Sequence, residues 1–332
     1  VVRFDHNTSP FTTDWAAGMV APMARTLNEY PGASYAPLRV AAASFLGTAP
    51  ENIVPGAGID ELILLIAKAF ITPGARAATA VPTYPLYEIA SSHNGGEFIG
   101  VPYGAQLTFP SEEVSRVSET AEIVWLCVPN NPTGDRVPDE AISNILSRAK
   151  GIVVIDAAYA EFTGDSWARW VERYSNLVVI HTMSKAFGLA GLRVGFAMGQ
   201  PVLIDAIDAV RPPGSIASVS AEIAEIALRE PKRMHRAVQR IVEEREHLAA
   251  ALLGLGFTVM ASTTNFVLCH VGPHARNLAE RILGEGIVVR TYGADHRLGE
   301  FLRFTVRSPS DDRRLVDTMM RHLSSSVADA AP

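Results

Sequence analysis

Four polar side chains stand in this chain where apolar runs stop. Asn131 follows "EIVWLCV", Asp156 closes "GIVVID", Tyr159 comes three residues later, and Lys185 follows "NLVVIHT". The lysine lies in "HTMSKAFGLAGLRVGFAMG", among small and apolar residues, with Arg193 eight positions on. An ammonium group in apolar surroundings is costly unless something uses it. One use is nucleophilic attack on a carbonyl carbon, which a neighbouring cation promotes by lowering the amine pKa. Taken singly, each residue has a bland reading: "NNPTG" as a turn, Asp156 as a helix cap, Lys185 as a surface residue. Their shared position joins them, because ligands of open parallel sheets gather beyond the carboxyl ends of the strands.

One cofactor needs this set. Pyridoxal phosphate requires a lysine for a Schiff base, a carboxylate to keep its ring nitrogen protonated, and donors for its phenolate and phosphate. Lys185 and Asp156 fit the first two roles, and Asn131 and Tyr159 fit the phenolate. Thr182, Ser184 and Arg193 flank the lysine and suit the phosphate. "GAGIDE" follows the strand-like "NIV" and opens a helix whose N-terminus can hold an anion. The rival reading of that segment is a dinucleotide fingerprint. It fails on the third glycine, where Glu61 stands, and on the missing acidic residue at the end of a second strand.

The elements that must position these groups alternate between about 40 and 200. "DELILLIAKAF", "LYEIASSHNG" and "DEAISNILSRAK" read as helices; "ARAATAV", "EIVWLCV", "GIVVID" and "NLVVIHT" read as strands. Such alternation predicts an α/β domain with a mostly parallel sheet flanked by helices. "VRPPGS" punctuates the chain near 212, and a charged helical stretch follows from about 218 to 254, interrupted by Pro231. "FTVMASTTNFVLCHV", "GIVVRTYG" and "FLRFTVR" then read as strands and "HARNLAERILGEG" as a helix, a smaller α+β C-terminal domain. The expected division is an N-terminal segment 1–30 packing on the small domain, a large domain 31–212, a small domain 213–323 and a frayed tail 324–332.

The bulk numbers agree with a globular enzyme. The 332 residues are 48% hydrophobic and 19% charged, and the net charge of −6 gives no electrostatic reason to expect nucleic acid or an anionic membrane. The longest apolar candidate, "ELILLIAKAFI", is too short to span a bilayer and contains Lys68. Residues 1–12 lack a signal-peptide pattern. Cys127 and Cys269 lie inside apolar runs and read as buried free thiols, which suits a reducing cytoplasm. Neither CxxC nor HExxH occurs, so no metal site is expected.

"NNPTG", "DAAY" and "SKAFGLAGLRVGF", in this order, resemble the class I/II aminotransferases of the fold-type I pyridoxal-phosphate family. More narrowly, the chain resembles histidinol-phosphate aminotransferases and their threonine-phosphate decarboxylase relatives, from "LNEYPGASYAPLR" to "LRFTVR". The resemblance implies a Schiff base on Lys185, which also moves the substrate's Cα proton, and ring-nitrogen pairing by Asp156. It implies phenolate contacts from Asn131 and Tyr159, and Tyr84 stacked on the ring. Backbone amides of Gly58 and Ile59 would hold the phosphate with Thr182, Ser184 and Arg193. Tyr30 would reach the neighbouring subunit's site in a homodimer. Arg303 and Arg290 would bind the substrate's anionic groups, with Asn7 nearby, whereas Arg307 is expected at the surface. Implied partners are a small amino donor and a 2-oxo acid acceptor such as 2-oxoglutarate. The chain departs from the histidinol-phosphate pattern at "DHNTSPF", where Thr8 holds a position usually acidic. Decarboxylation, or a secondary-metabolite reaction on the same fold, stays open at this point. So does an effector-binding module of a regulator, against which the acidic balance speaks.

Overall fold

The computed structural model describes residues 1–328. A short strand β1 (Val2–Arg3) leads to helices α1 (Ala17–Met23) and α2 (Ala36–Leu46). Strand and helix then alternate: β2 (Ile53–Gly56), α3 (Gly58–Phe70), β3 (Arg76–Val81), α4 (Leu86–His93), β4 (Glu97–Pro102), α5 (Ser111–Ser118) and β5 (Ile123–Cys127). Next come α6 (Asp139–Arg148), β6 (Ile152–Asp156), α7 (Ala168–Arg173), β7 (Leu177–Thr182), β8 (Gly195–Gly199) and α8 (Pro201–Ala209). The remainder is α9 (Ser218–Arg229), α10 (Lys232–Gly254), β9 (Thr258–Val259), β10 (Phe266–His270), α11 (Ala275–Gly284), β11 (Ile287–Val288), β12 (Phe301–Thr305) and α12 (Pro309–Ala328).

Seven strands form the main sheet in the order β2-β8-β7-β6-β5-β3-β4. Only β8 runs antiparallel to its neighbours. Every residue of β5, β6 and β7 is buried, as expected of parallel strands covered on both faces. Successive side chains go to opposite faces. Trp125, Val154, Val178 and Ile180 pack in one core with Leu62, Ile63 and Ile66 of α3. Leu126, Val153, Ile155 and Val179 pack in the other with Leu38 of α2 and Ile142 and Ile145 of α6. That two-sided burial fixes the register of the strand ends, and hence of the groups that follow them.

A three-stranded antiparallel sheet, β12-β10-β9, carries α10, α11 and α12 against it or one another. The N-terminus joins this part: β1 pairs in parallel with β11, and Phe4 is fully buried. The charged stretch after 212 is broken at Pro231, which caps α10 and cannot donate a helical N–H. Although the expected division assigns α9 to the small domain, its apolar face packs against α2 and joins the core of the main sheet. The expected frayed tail is helical through Ala328, and residues 329–332 lie outside the described residues. Among the described residues, no helix is long and apolar enough to cross a membrane.

Gly195 is wedged where β8 meets both β7 and the start of α3. A Cβ there would lie 2.8 Å from the His181 carbonyl oxygen and 3.0–3.1 Å from backbone atoms of Gly58 and Ile59. These neighbours are backbone and cannot rotate away. Gly195→Ala is therefore expected to cost about 1–3 kcal/mol of stability, read as a lowered midpoint in thermal or urea unfolding. An unchanged midpoint would contradict this packing.

Candidate active site

The main sheet delivers the sequence motifs to one edge. Cys127 is level with Asp156, and Asp156 with Ile180, across β5, β6 and β7. Thr182 lies opposite Gly195, which lies opposite Gly56 at the end of β2. The carboxyl ends of four strands thus share a rim, as open parallel sheets predispose. A cavity of about 270 Å³ opens there. Asn131, Asp156, Tyr159, Thr182, Ser184 and Lys185 all line it, and so do Ile59, Tyr84 and Arg193.

The charged groups at its floor are shifted by burial. Asp156 is 3% exposed. Ala158 N–H donates to its Oδ1 at 3.0 Å, and the Tyr87 hydroxyl donates to Oδ2 at 2.6 Å. Burial pushes its carboxyl up to about 6; those two donors and His181 oppose the rise, and Asp60 adds to it. Burial lowers the Lys185 ammonium to about 8, helped by Arg303 and Arg193 and opposed by Asp60 and Asp156. Lys185 Nζ donates to the His6 carbonyl oxygen at 3.2 Å. Both groups are thus charged or uncharged within reach of neutral pH, as acid–base chemistry requires.

Where β2 runs into α3, the helix begins at Gly58 with φ +84°, and a Cβ there would strike the Arg193 guanidinium at 2.8 Å. The N-cap Ala57 offers no side-chain cap, and Glu61 takes only the Ala57 N–H, at 2.5 Å. The helix start thus presents its first-turn amides to the rim beside Ile59. Thr182 Oγ1 donates to Ser184 Oγ at 3.0 Å.

The expected substrate residues fall into two groups. Arg303 is buried, and burial lowers its guanidinium below the usual value. It donates to Asn131 Oδ1 and to the Asp5 carbonyl oxygen (2.7 Å), leaving the Asn131 amide nitrogen as that side chain's donor end. Asn7 is 2% exposed and touches the cavity only through Tyr159, whose hydroxyl accepts its Nδ2–H at 3.0 Å; His6 and Thr8, on either side, line the cavity. Arg290 is exposed and lies next to Arg303 through paired backbone hydrogen bonds, outside the cavity wall. Tyr30 is 95% exposed and also lies outside it. Arg307 corrects its surface expectation. It is half-buried, and Nη1 donates to Thr8 O and Oγ1, both at 3.3 Å, because the loop from β1 crosses over the end of β12.

Two residues of the site were absent from the sequence reading. Asp60 accepts from Tyr84 Oη (2.9 Å) and Arg193 Nη2 (2.7 Å), tying the tyrosine to the arginine across the cavity wall. Its only signal was an acidic residue in the first turn of α3, which reads as ordinary helix electrostatics. Tyr87 carried no signal beyond an apolar helix position. Cys127, a buried free thiol as expected, also lines the cavity.

The family model for "Aminotransferase class I and II" matches residues 2–319. The chain belongs to the class I and II aminotransferases. It is 35% identical to the histidinol-phosphate aminotransferase of Caldanaerobacter subterraneus subsp. tengcongensis over 90% of this chain and 85% of that one. The solved histidinol-phosphate aminotransferase of Sinorhizobium meliloti, in complex with pyridoxal-5'-phosphate, superposes with a TM-score of 0.89 at 26% identity, covering 97% of this chain and 91% of its own. L-threonine-O-3-phosphate decarboxylase from Porphyromonas gingivalis shares the fold, with a TM-score of 0.86 at 22% identity and coverage of 98% and 100%. This aminotransferase is a pyridoxal-phosphate-dependent enzyme of the α/β, fold-type I architecture.

The side chains at the rim fit that cofactor. A buried carboxylate is stabilised by a cation, and Asp156 has no ion pair among the described residues. A protonated pyridine nitrogen would supply one. Hydroxyls, an arginine and the lowered lysine line the same cavity, beside the uncapped start of α3, a donor set matched to a phosphate and a carbonyl. The lysine shift carries a direct expectation for the cofactor-free protein. Near neutral pH a far larger share of the Lys185 amine should be neutral than the roughly one in a thousand of an unperturbed lysine. Its rate of modification by an amine-directed reagent should rise with pH through about 8 and then level. A midpoint near the ordinary lysine value would contradict the burial.

Proposed function

We propose that this aminotransferase takes an amino group from a phosphorylated amino alcohol of the histidinol-phosphate type, or from an aromatic analogue, and delivers it to a 2-oxo acid such as 2-oxoglutarate. The observation that carries this reading is the 35% identity, over 90% of the chain, to a histidinol-phosphate aminotransferase. Pyridoxal phosphate, when bound, supplies an electron sink for the pair released at the substrate Cα. Lys185 Nζ takes the Cα proton, for which a pKa of about 8 is well matched. Asp156 holds the proton on the ring nitrogen, Asn131 and Tyr159 hold the phenolate oxygen, and Tyr84 covers the ring. Thr182, Ser184, Arg193 and the amides of Gly58 and Ile59 hold the phosphate. Arg303, with Arg290 beside it, recognises the substrate's anionic groups by planar bidentate contacts.

The reading includes a homodimer with shared sites. Tyr30 is a large side chain left 95% exposed, outside its own chain's cavity, as a residue serving a neighbour would be. Mixing a Lys185→Ala subunit with a Tyr30→Ala subunit should then regenerate one intact site per hybrid dimer. Activity above the average of the two homodimers is the expected result; activity at that average would count against sharing.

The donor is tested by the visible absorption of the holoenzyme as histidinol phosphate, phenylalanine, glutamate and threonine phosphate are added in turn. Histidinol phosphate should bleach the band, and 2-oxoglutarate should restore it. A decarboxylase reading draws on Thr8, a neutral hydroxyl on the cavity wall where the resembling aminotransferases place an acid. Carbon dioxide released from threonine phosphate, with the band surviving every donor, would favour it over transamination.

A further inference from the structure

Asp156 has a partner that the reaction as described does not use. Tyr87 is fully buried in the first turn of α4, three residues after Tyr84, and its hydroxyl donates to Asp156 Oδ2 at 2.6 Å. With Ala158 N–H on Oδ1, each carboxylate oxygen has one fixed donor, so the plane of the carboxylate is set. Tyr87 is itself held. Its ring stacks on Trp125 of β5 at 5.3 Å between centroids and 6° between planes, and meets the Tyr84 ring edge-on at 5.8 Å. A phenylalanine would serve that stack equally well; the hydroxyl is what needs a polar partner when buried.

We propose that Tyr87 is a positioning residue for the cofactor: its hydroxyl keeps Asp156 ionised and in the orientation that a protonated ring nitrogen requires. The proposal rests on the assignment of Asp156 to that nitrogen. The groups facing Asp156 show why a donor is needed. Asp60 on α3 repels its charge and His181 on β7 attracts it. Cys127 on β5, Tyr84, Tyr159 and Lys185 are the other titratable neighbours. Burial is the largest influence, leaving the carboxyl at about 6, and the Tyr87 hydrogen bond is the first of those that hold it down. An ionised Asp156 can only accept, and the Tyr87 phenol, raised well above its ordinary value by burial and Asp156, keeps its proton to donate. Without that donor the carboxyl would approach neutral pH, and the shared proton would move from the ring nitrogen to the carboxylate.

The test starts with cofactor-free protein carrying ¹³C-carboxyl aspartate, with the Asp156 resonance identified by its loss in Asp156→Asn. Its titration midpoint is expected near 6 in the wild type and higher by about one pH unit or more in Tyr87→Phe, the effect of losing one hydrogen bond to a charged group. Trp125→Phe, which disturbs the stack and spares the hydroxyl, should leave the midpoint in place. In the holoenzyme, Tyr87→Phe should shift the ¹⁵N resonance of ring-labelled cofactor towards the unprotonated form and weaken cofactor binding about tenfold. An unmoved midpoint in Tyr87→Phe, or an equal shift in Trp125→Phe, would overturn the proposal alone. Asp156→Asn with undiminished cofactor affinity would overturn the underlying assignment as well. Should Tyr87→Phe fail to fold, 3,5-difluorotyrosine at position 87 keeps the shape and strengthens the donor. It should lower the Asp156 midpoint, and no change would overturn the proposal.

Discussion

Asp156 is a carboxylate taken almost wholly out of water at the end of a buried strand, with two hydrogen-bond donors and no ion pair among the described residues. A buried charge in that state is costly, and the site is arranged around relieving it. Tyr87 and the Ala158 amide hold it ionised from one side. In the proposed reading, a protonated ring nitrogen would complete it from the other. The opposite charge problem falls on Lys185, whose ammonium is disfavoured by the same low-polarity surroundings and by Arg303 and Arg193. One environment therefore makes the carboxylate seek a cation and makes the amine ready to give its proton up.

The sheet makes that environment possible. Parallel strands covered on both faces are apolar along their length, so polar groups are confined to their ends, and two-sided packing leaves no freedom to slip. Asn131, Asp156 and Lys185 are distant in sequence but follow adjacent strands, β5, β6 and β7. The antiparallel β8 inserts between β7 and β2 and starts at the same rim, so the loop before it keeps Arg193 there. Glycine at 58 and 195 lets α3 start close enough for its amides to face the cavity. The N-terminal loop closes the remaining side by sharing hydrogen bonds with Arg303, Thr305 and Arg307 of the small sheet.

Much of this was legible in the sequence, for a physical reason. A buried parallel strand is a continuous apolar run, and a polar residue at its end is conspicuous; hence Asp156 and the motif around Lys185 stood out. β8 did not, because "GFAMG" lacks β-branched residues and is a strand only through its pairing with β7 and β2. β4 is a half-exposed edge strand without a clean pattern. Asp60 and Tyr87 act through contacts across the fold, and their local spacing is that of any amphipathic helix. Arg307 was misread for the same cause: its partners, Thr8 and Ser9, are almost the whole chain away. The break at Pro231, where a local rule applies, was foreseen, whereas the packing of α9 on α2 was not.

In the proposed reading, Lys185 is the residue that bonds the cofactor. The chain has four lysines, and Lys68, Lys150 and Lys232 are exposed, so the claim can be read from a single peptide map. The holoenzyme would be reduced with borohydride to fix the Schiff base, digested, and mapped by mass spectrometry. One cofactor adduct per chain is expected, on the peptide containing Lys185. An adduct on any of the other three lysines, or none, would contradict it.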